Sequence, residues 1–340
     1  MLNSTISSES TAHPVGERVP LGSPPVPISV VICTCDRPET IERAVRSVLD
    51  QEYSIFEVLV LDQSRDNRTA TVIRRLAGHD DRLRYLRLSE RGLSRAYNCG
   101  AAGSRHELLA FTDDDCVAPA GWLDAVAHAF ADEPDAGLVY GQVLGPAEPE
   151  GSNEGGVVPT LHIAKLERLS RRDGFRVFGM GANCAARRSL VLRLGGFDEA
   201  LGGGGPLQSA QDFDFAYRVF LDGGVIMLDP RIVVHHYGFR TNTEWPVTVG
   251  SYGIGVGAFY FKHVRAGDAY AAALLARLLV TGTVRTLKRI VLAQPSVHYR
   301  TYLGHLVVGM WRSRAYPVDR RKRLYRSPAA TYIRARPPVG

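Results

Sequence analysis

Three consecutive carboxylates, Asp113-Asp114-Asp115, close the apolar run Leu108 to Thr112. Adjacent carboxylates repel one another unless a cation or hydrogen bonds offset their charge. A hard divalent ion such as Mg²⁺ binds one or two carboxylates and keeps positions for substrate phosphates. Taken alone, the triplet reads equally as a solvated acidic turn or a helix N-terminus, where Asp is also favoured. Two further carboxylates decide between these readings. Asp36 follows the β-branched run Ile28 to Thr34, and Asp62 ends the apolar run Phe56 to Leu61. Carboxylates at three strand ends converge on one edge of a sheet, which points to a metal and a nucleotide rather than to a capped helix.

Other residues fit the same chemistry. His235-His236 closes the short run Ile232 to Val234. A neutral imidazole suits a transition ion such as Mn²⁺, which makes His235 a candidate ligand; two satisfied histidines are the plainer alternative. Arg91 and Arg95 flank Gly92 and have the donors to meet diphosphate oxygens, or they form a solvated basic helix face. Gln211-Asp212-Phe213-Asp214 opens a helix, whose N-terminus its acids can cap. The five cysteines, at 33, 35, 99, 116 and 184, form no CxxC pair. That pattern gives neither a disulfide framework nor a zinc ribbon, and reduced, intracellular thiols are the simplest reading. Cys33 and Cys35 share one face of a strand and read as structural.

The elements that must position these residues follow from periodicity. Ile28 to Thr34, Phe56 to Leu61, Leu83 to Leu88 and Leu108 to Thr112 read as buried strands. Helices are predicted between them: from Pro38 to about Asp50, near Arg68 to Ala77, and over Ser94 to Ala102; Pro119 opens another. Alternation of strands and helices predicts a mostly parallel sheet covered on both faces, with ligands beyond the carboxyl ends of its strands. Downstream, Gly145 to Gly174 reads as a loop or insertion, Arg187 to Leu194 and Ser209 to Leu221 as helices, and Val225 to Leu228 and Ile232 to Val234 as two short strands. Gly202 to Gly205 is a four-glycine run that suits a mobile loop.

Several motifs in order now carry a resemblance. Thr34-Cys35-Asp36-Arg37-Pro38-Glu39, Leu61-Asp62-Gln63-Ser64, Gly92 to Gly100, the acidic triplet, Gly181-Ala182-Asn183, Gly195-Gly196-Phe197-Asp198 and Gln211-Asp212-Phe213-Asp214 together resemble glycosyltransferase family 2. The resemblance spans about residues 27 to 240. It implies the GT-A fold, an α/β nucleotide-binding domain with the acceptor site alongside. It also implies an inverting transfer from a UDP-, GDP- or dTDP-sugar, assisted by Mg²⁺ or Mn²⁺. Thr34, Asp36, Arg37, Asp62, Arg95, Asp113 and Asp114 would hold the donor nucleotide. Asp115 is the favoured metal ligand, with Asp113 and His235 beside it. Asp212 matches the base that deprotonates the acceptor hydroxyl, and Gly181, Asn183, Gln211 and Asp214 fall on the acceptor and sugar side. The family usually has an acid where this chain has Gln211, which keeps Asp214 open as a second candidate base.

Charge divides the chain. Arg240 to Gly340 holds 17 Lys/Arg and 3 Asp/Glu, a net of +14 within an overall +6. A basic end facing an acidic front suits an anionic surface, lipid or nucleic acid. Residues 1–26 lack an apolar run and read as a mobile tail. Residues 27–131 are expected to be the nucleotide-binding half and 132–240 the acceptor-binding half. Residues 241–315 are expected to form a helical extension and 316–340 a basic tail. Ala269 to Leu292 is long and apolar but carries Arg277, Arg285, Lys288 and Arg289, so it is expected to lie on a membrane rather than span it. That places the protein in the cytoplasm, peripheral at the inner face of the cell membrane, where a lipid-linked acceptor or a glycan would meet it. The basic end shows no zinc, homeodomain or RNA-recognition signature, so nucleic acid is not the expected partner. No GxGxxG follows the first strand, which argues against a dehydrogenase. A metal-dependent nucleotidyltransferase, the nearest rival enzyme, would need a glycine- and lysine-rich triphosphate loop there.

Overall fold

The computed structural model describes residues 26–146, 156–176 and 179–326. Apart from Val26, the predicted mobile tail lies outside the described residues, as do positions 327–340 of the basic tail and 147–155 of the expected insertion.

The first half alternates as the periodicity predicts. Strand β1 (Ile28–Thr34), helix α1 (Pro38–Leu49), β2 (Phe56–Asp62), α2 (Arg68–Ala77), β3 (Leu83–Arg87), α3 (Leu93–Gly103) and β4 (Leu108–Asp113) follow in order. β1 pairs parallel with both β2 and β4, and β2 with β3. Side chains alternate across a strand, so β1 feeds two cores. Val30 and Ile32 pack with Ile41, Val45 and Val48 of α1, while Val31 and Cys33 pack with Ala96, Tyr97 and Ala101 of α3. Each fully buried Val or Ile stabilises by about 1.5–3 kcal/mol, which explains why β-branched runs, rather than alternating ones, mark these strands.

The second half completes the sheet. β5 (Cys116–Val117), α4 (Trp122–Asp132), β6 (Ala136–Leu144), β7 (Gly156–Val157), β8 (Glu167–Leu169), β9 (Asn183–Arg187), α5 (Arg188–Arg193), α6 (Gln211–Leu221) and β10 (Val225–His236) follow. The sheet order is β3-β2-β1-β4-β9-β6-β10-β5, with β8 also on β10. β1, β2, β3, β4, β6 and β10 run one way; β9, β8 and β5 oppose them. Two expectations change here. The helix expected to open at Pro119 begins at Trp122, after Gly121 in the left-handed region (φ 83°), and Pro119 instead gives its carbonyl to the Trp122 amide. The two strands expected over 225–234 are one strand with a register shift between Asp229 and Val233. Pro230 cannot donate to the ladder, and the irregularity absorbs it.

β11 (Arg240–Thr241) pairs with β7, and three helices follow: α7 (Glu244–Arg265), α8 (Ala269–Val291) and α9 (Val297–Ser313), closed by the strand pair β12 (Val318–Asp319) and β13 (Leu324–Tyr325). α7 and α9 touch backbone to backbone. A Cβ on Gly257 would fall 2.0 Å from the Leu306 carbonyl oxygen, and one on Gly309 would fall 2.0 Å from that of Ile254. Gly253, Gly257 and Gly309 therefore serve close helix packing.

Candidate metal and donor site

The parallel register sets Thr34 beside Asp62 and Cys33 beside Asp113, so the three strand ends share one rim. Asp36, just past β1, adopts a left-handed conformation (φ 57°). Its amide donates to Ser64 Oγ at 2.8 Å, its Oδ1 accepts from the Arg65 amide at 2.7 Å, and Arg91 pairs with its Oδ2. The Arg65 bond is the main reason that its carboxyl lies below the usual range. Arg37 reaches across the rim. Its guanidinium donates to Asp114 Oδ1 and Asp115 Oδ2, both at 2.9 Å.

The acidic triplet divides into three environments. Asp113, partly exposed, receives the Tyr97 hydroxyl at 3.3 Å; burial and the neighbouring Asp115 charge push it up to about 7. Asp114 is buried and raised by desolvation, against the pull of Arg37. Asp115 is also buried, but His236, Arg37 and Arg240 outweigh desolvation and hold its carboxyl low.

His236 faces Asp115 because β10 and β5 pair antiparallel, setting His236 opposite Cys116. Its Nδ1 lies 3.0 Å from the Pro159 carbonyl, which only accepts, so Nδ1 carries the hydrogen. Nε2 then turns to Asp115 Oδ1 at 3.2 Å. That oxygen is buried and receives no hydrogen bond. Two acceptors this close need a cation or a proton between them. Asp115 and Asp113 raise the His236 pKa against the opposing effect of burial, which is the proton's version of the same demand. Asp115, Cys116 and His236 form the group of potential metal ligands found among the described residues. Burial pushes the Cys116 thiol well up, so carboxylate and imidazole are the better donors. An orphaned carboxylate oxygen facing an imidazole fits a divalent ion. Gly238 makes room there: a Cβ would lie 2.6 Å from both Asp115 Oδ2 and His236 Nε2.

Across the rim, α6 begins after Ala210, itself left-handed at φ 67°. Asp212 Oδ2 accepts the Gly181 amide and Oδ1 the Phe213 amide, each at 2.9 Å. Desolvation still dominates, pushing Asp212 up to about 6. Each oxygen keeps a lone pair, so the group is a weak base held in place. Tyr97 joins the two clusters, with its hydroxyl 3.3 Å from Asp113 Oδ1 and 3.5 Å from the Gly181 carbonyl. Gln211 is buried beside Gly181 and Gly202.

Five expected site residues sit differently. His235 turns its Nδ1 to the Gly145 carbonyl at 2.9 Å, and it is His236 that faces Asp115. Asp62 reaches the rim, but its carboxylate is fully buried and takes the Ser64 amide at 2.8 Å and the Tyr85 hydroxyl at 2.7 Å. Asn183 is spent on structure: it bonds the carbonyls of Gln142 and Ile232 and accepts from Trp122 Nε1. Arg95 pairs with Glu90 and Glu199 rather than standing free for phosphate. Asp214 points into the interior. Arg218 at 2.9 Å, Lys262 at 2.6 Å and His263 at 2.9 Å surround its carboxylate, and Lys262 also reaches Asp198 at 2.5 Å. The Lys262 and Arg218 charges, with the His263 hydrogen bond, hold Asp214 far below the carboxylate range despite burial. Asp214 is therefore removed as a candidate base.

The helical end adds residues that the motifs do not flag. Arg240 acts electrostatically on Asp115, and Tyr252 of α7 feels Arg240, Asp212 and Asp113. Trp245 packs edge-on to Tyr252 at 6.3 Å. This aromatic pair thus has one member within electrostatic reach of Asp212 and Asp113.

Known proteins resemble this chain in sequence and in fold. The Glycosyl transferase family 2 profile matches residues 29–195. The chain is 24% identical over 239 residues to the glucosyl-dolichyl phosphate glucuronosyltransferase of Haloferax volcanii, covering 65% of this chain and 72% of that protein. Among solved structures, it resembles the mannosyltransferase PcManGT from Pyrobaculum calidifontis in complex with GDP-Man and Mn²⁺. That match has a TM-score of 0.56 and 20% identity, over 87% of this chain and 90% of the other. It also resembles S. aureus TarS, with a TM-score of 0.56 and 19% identity, over 75% of this chain and 43% of TarS.

Proposed function

Residues 29–195 are a glycosyl transferase family 2 domain in a GT-A fold and the chain is a glycosyltransferase, and we propose that it moves a sugar from a nucleotide-diphosphate donor by a single inverting displacement. Asp113, Asp115 and His236 would hold a divalent ion, Mg²⁺ or Mn²⁺. The observation that carries this is the buried, unbonded Asp115 Oδ1 facing His236 Nε2. Such an ion, when bound, neutralises charge developing on the departing diphosphate.

The chain's own residues do the rest. Asp36, with Thr34 and the loop after β2, lines the nucleoside end. Arg37, half exposed, and Arg240 stand close enough to the triplet to meet phosphate oxygens. Asp212 takes the proton from an acceptor hydroxyl as that oxygen bonds to the anomeric carbon and the bond to the diphosphate breaks. A base near 6 is ionised at neutral pH yet not inert. Transfer needs no protein nucleophile, because the acceptor oxygen attacks directly. Tyr252 and Trp245 form an acceptor-side wall suited to a sugar face.

The acceptor is read as a lipid-linked hydroxyl, or a glycan, at an anionic membrane surface. The Haloferax volcanii relative, named for a dolichyl phosphate substrate, supports the lipid-linked form, and PcManGT in complex with GDP-Man and Mn²⁺ supports the donor and metal class. Residues 27–240 would then be the catalytic unit, acting at the inner face of the cell membrane. The test is thermal stability of the chain with UDP, GDP and dTDP, each with and without Mn²⁺ or Mg²⁺. A ligand at about 100 times its Kd stabilises by about 2.7 kcal/mol. One nucleotide is expected to raise the Tm only when metal is present; silence with every pair would remove the reading.

A further inference from the structure

Among the described residues, one face of α8 has no partner. Ala271, Leu275 and Thr286 turn inward and are buried. Val280, Val284, Leu287 and Val291 are 62%, 59%, 56% and 82% exposed. Their spacing of four, three and four residues makes one stripe. At 3.6 residues per turn this stripe lies nearly opposite the buried residues and runs about 16 Å along the axis. Arg277 and Lys288 lie along one edge of it. α9 repeats the pattern, with Val297, Val307 and Trp311 at 62%, 55% and 70% exposed.

The charge of the region selects the occupant. Between Asp268 and Asp319 the chain holds seven Lys or Arg and no Asp or Glu. A second copy docking on the same face would oppose like charges. Nucleic acid would use the cations but leave the aliphatic stripe in water. α8 has the length and hydropathy to cross a membrane, but Arg277 near its middle, Arg285, Lys288 and Arg289 toward its end, and the inward-facing Ala271, Leu275 and Thr286 oppose spanning. A surface that is aliphatic, uniformly cationic and finished by a tryptophan fits the boundary of a bilayer with anionic headgroups.

We propose that the α8–α9 hairpin docks on an anionic bilayer surface. The stripes of Val280, Val284, Leu287 and Val291 and of Val307 and Trp311 enter the interface, and Arg277 and Lys288 meet headgroup phosphates. The proposal rests on the reading of a lipid-linked acceptor and supplies the surface at which that acceptor is reached.

The test is co-sedimentation of the full chain with phosphatidylcholine vesicles, with and without phosphatidylglycerol. Binding is expected to require phosphatidylglycerol and to weaken as salt rises. Val284→Asp with Leu287→Asp is expected to lower binding by more than about tenfold per side chain. Both positions are exposed, so the thermal melt should not move. Arg277→Glu with Lys288→Glu is expected to reduce binding to the level seen on phosphatidylcholine alone. Three results overturn the proposal: no sedimentation with anionic vesicles, equal sedimentation of the Val284/Leu287 variant, or loss of a solution dimer in that variant with vesicle binding intact. Nucleotide-induced stabilisation is measured in parallel without vesicles, so failure of the catalytic reading shows separately from failure of docking.

Discussion

His236 Nε2 sits 3.2 Å from Asp115 Oδ1 while its Nδ1 is tied to the Pro159 carbonyl. The tie fixes the imidazole's orientation and leaves its lone pair aimed at a carboxylate oxygen that has no donor. Histidines held this way are poised ligands. We expect His236→Ala to weaken Mn²⁺ binding, measured calorimetrically with nucleoside diphosphate present, by at least about tenfold. His235→Ala should change it by less than about threefold, since its ring faces Gly145. Equal losses in both variants would refute the assignment.

Gly238 leaves the space in which that ion would sit. Gly238→Ala places a methyl group 2.6 Å from Asp115 Oδ2 and His236 Nε2. The variant should fold, because the clash involves side-chain ends, but it should bind metal as poorly as His236→Ala. Tight Mn²⁺ binding by Gly238→Ala would show that the ion lies elsewhere.

Asp212→Asn should lower kcat by about 10²- to 10⁴-fold and leave nucleotide-induced stabilisation unchanged. Substantial turnover by this variant would take Asp212 out of the mechanism.

The wild-type pH profile supplies a second test of the base. Asp212 must be ionised to accept a proton, so kcat/KM should fall as pH drops through about 6. Unfolding does not explain such a fall through this group. A carboxyl raised on folding costs stability when ionised, so protonating it between its unfolded and folded pKa values favours the fold. Circular dichroism across that window should stay flat on this account while activity drops.

Asp214 predicts the opposite behaviour. Removing one partner from a buried ion pair costs about 3–5 kcal/mol. Lys262→Met strands Asp198 and Asp214 without their shared cation. Its urea midpoint should therefore fall sharply, whereas Asp212→Asn should melt near wild type. Near-wild-type stability of Lys262→Met would dissolve the structural role given to Asp214.

Much of this was legible in the chain. Runs such as Ile28 to Thr34 carry strand and burial together, so the rim bearing Asp36, Asp62 and the triplet follows from sequence. Which of His235 and His236 faces Asp115 did not follow. Which of two adjacent strand residues faces Asp115 depends on register with β5, a two-residue strand with no periodicity of its own. Asp214 and Asn183 misled for a different reason. A motif position marks a residue that the fold needs, and Trp122, Gln142 and Lys262, distant in sequence, turn these two toward packing rather than substrate. Tyr252 and Arg240 were hidden because the basic, aliphatic end reads as a separate layer, while in three dimensions both act electrostatically on the acidic cluster.

Tyr325 gives its amide to Asp198 at 2.8 Å and its hydroxyl to the Ala258 carbonyl at 2.7 Å. The interior charge cluster beneath the α6 turn that bears Asp212 is thus sealed by one of the last described residues. During synthesis on the ribosome, the nucleotide-binding strands emerge long before that seal exists. The Asp198–Lys262–Asp214 cluster therefore closes only after residue 325 has emerged, well after the strands that carry the acidic rim.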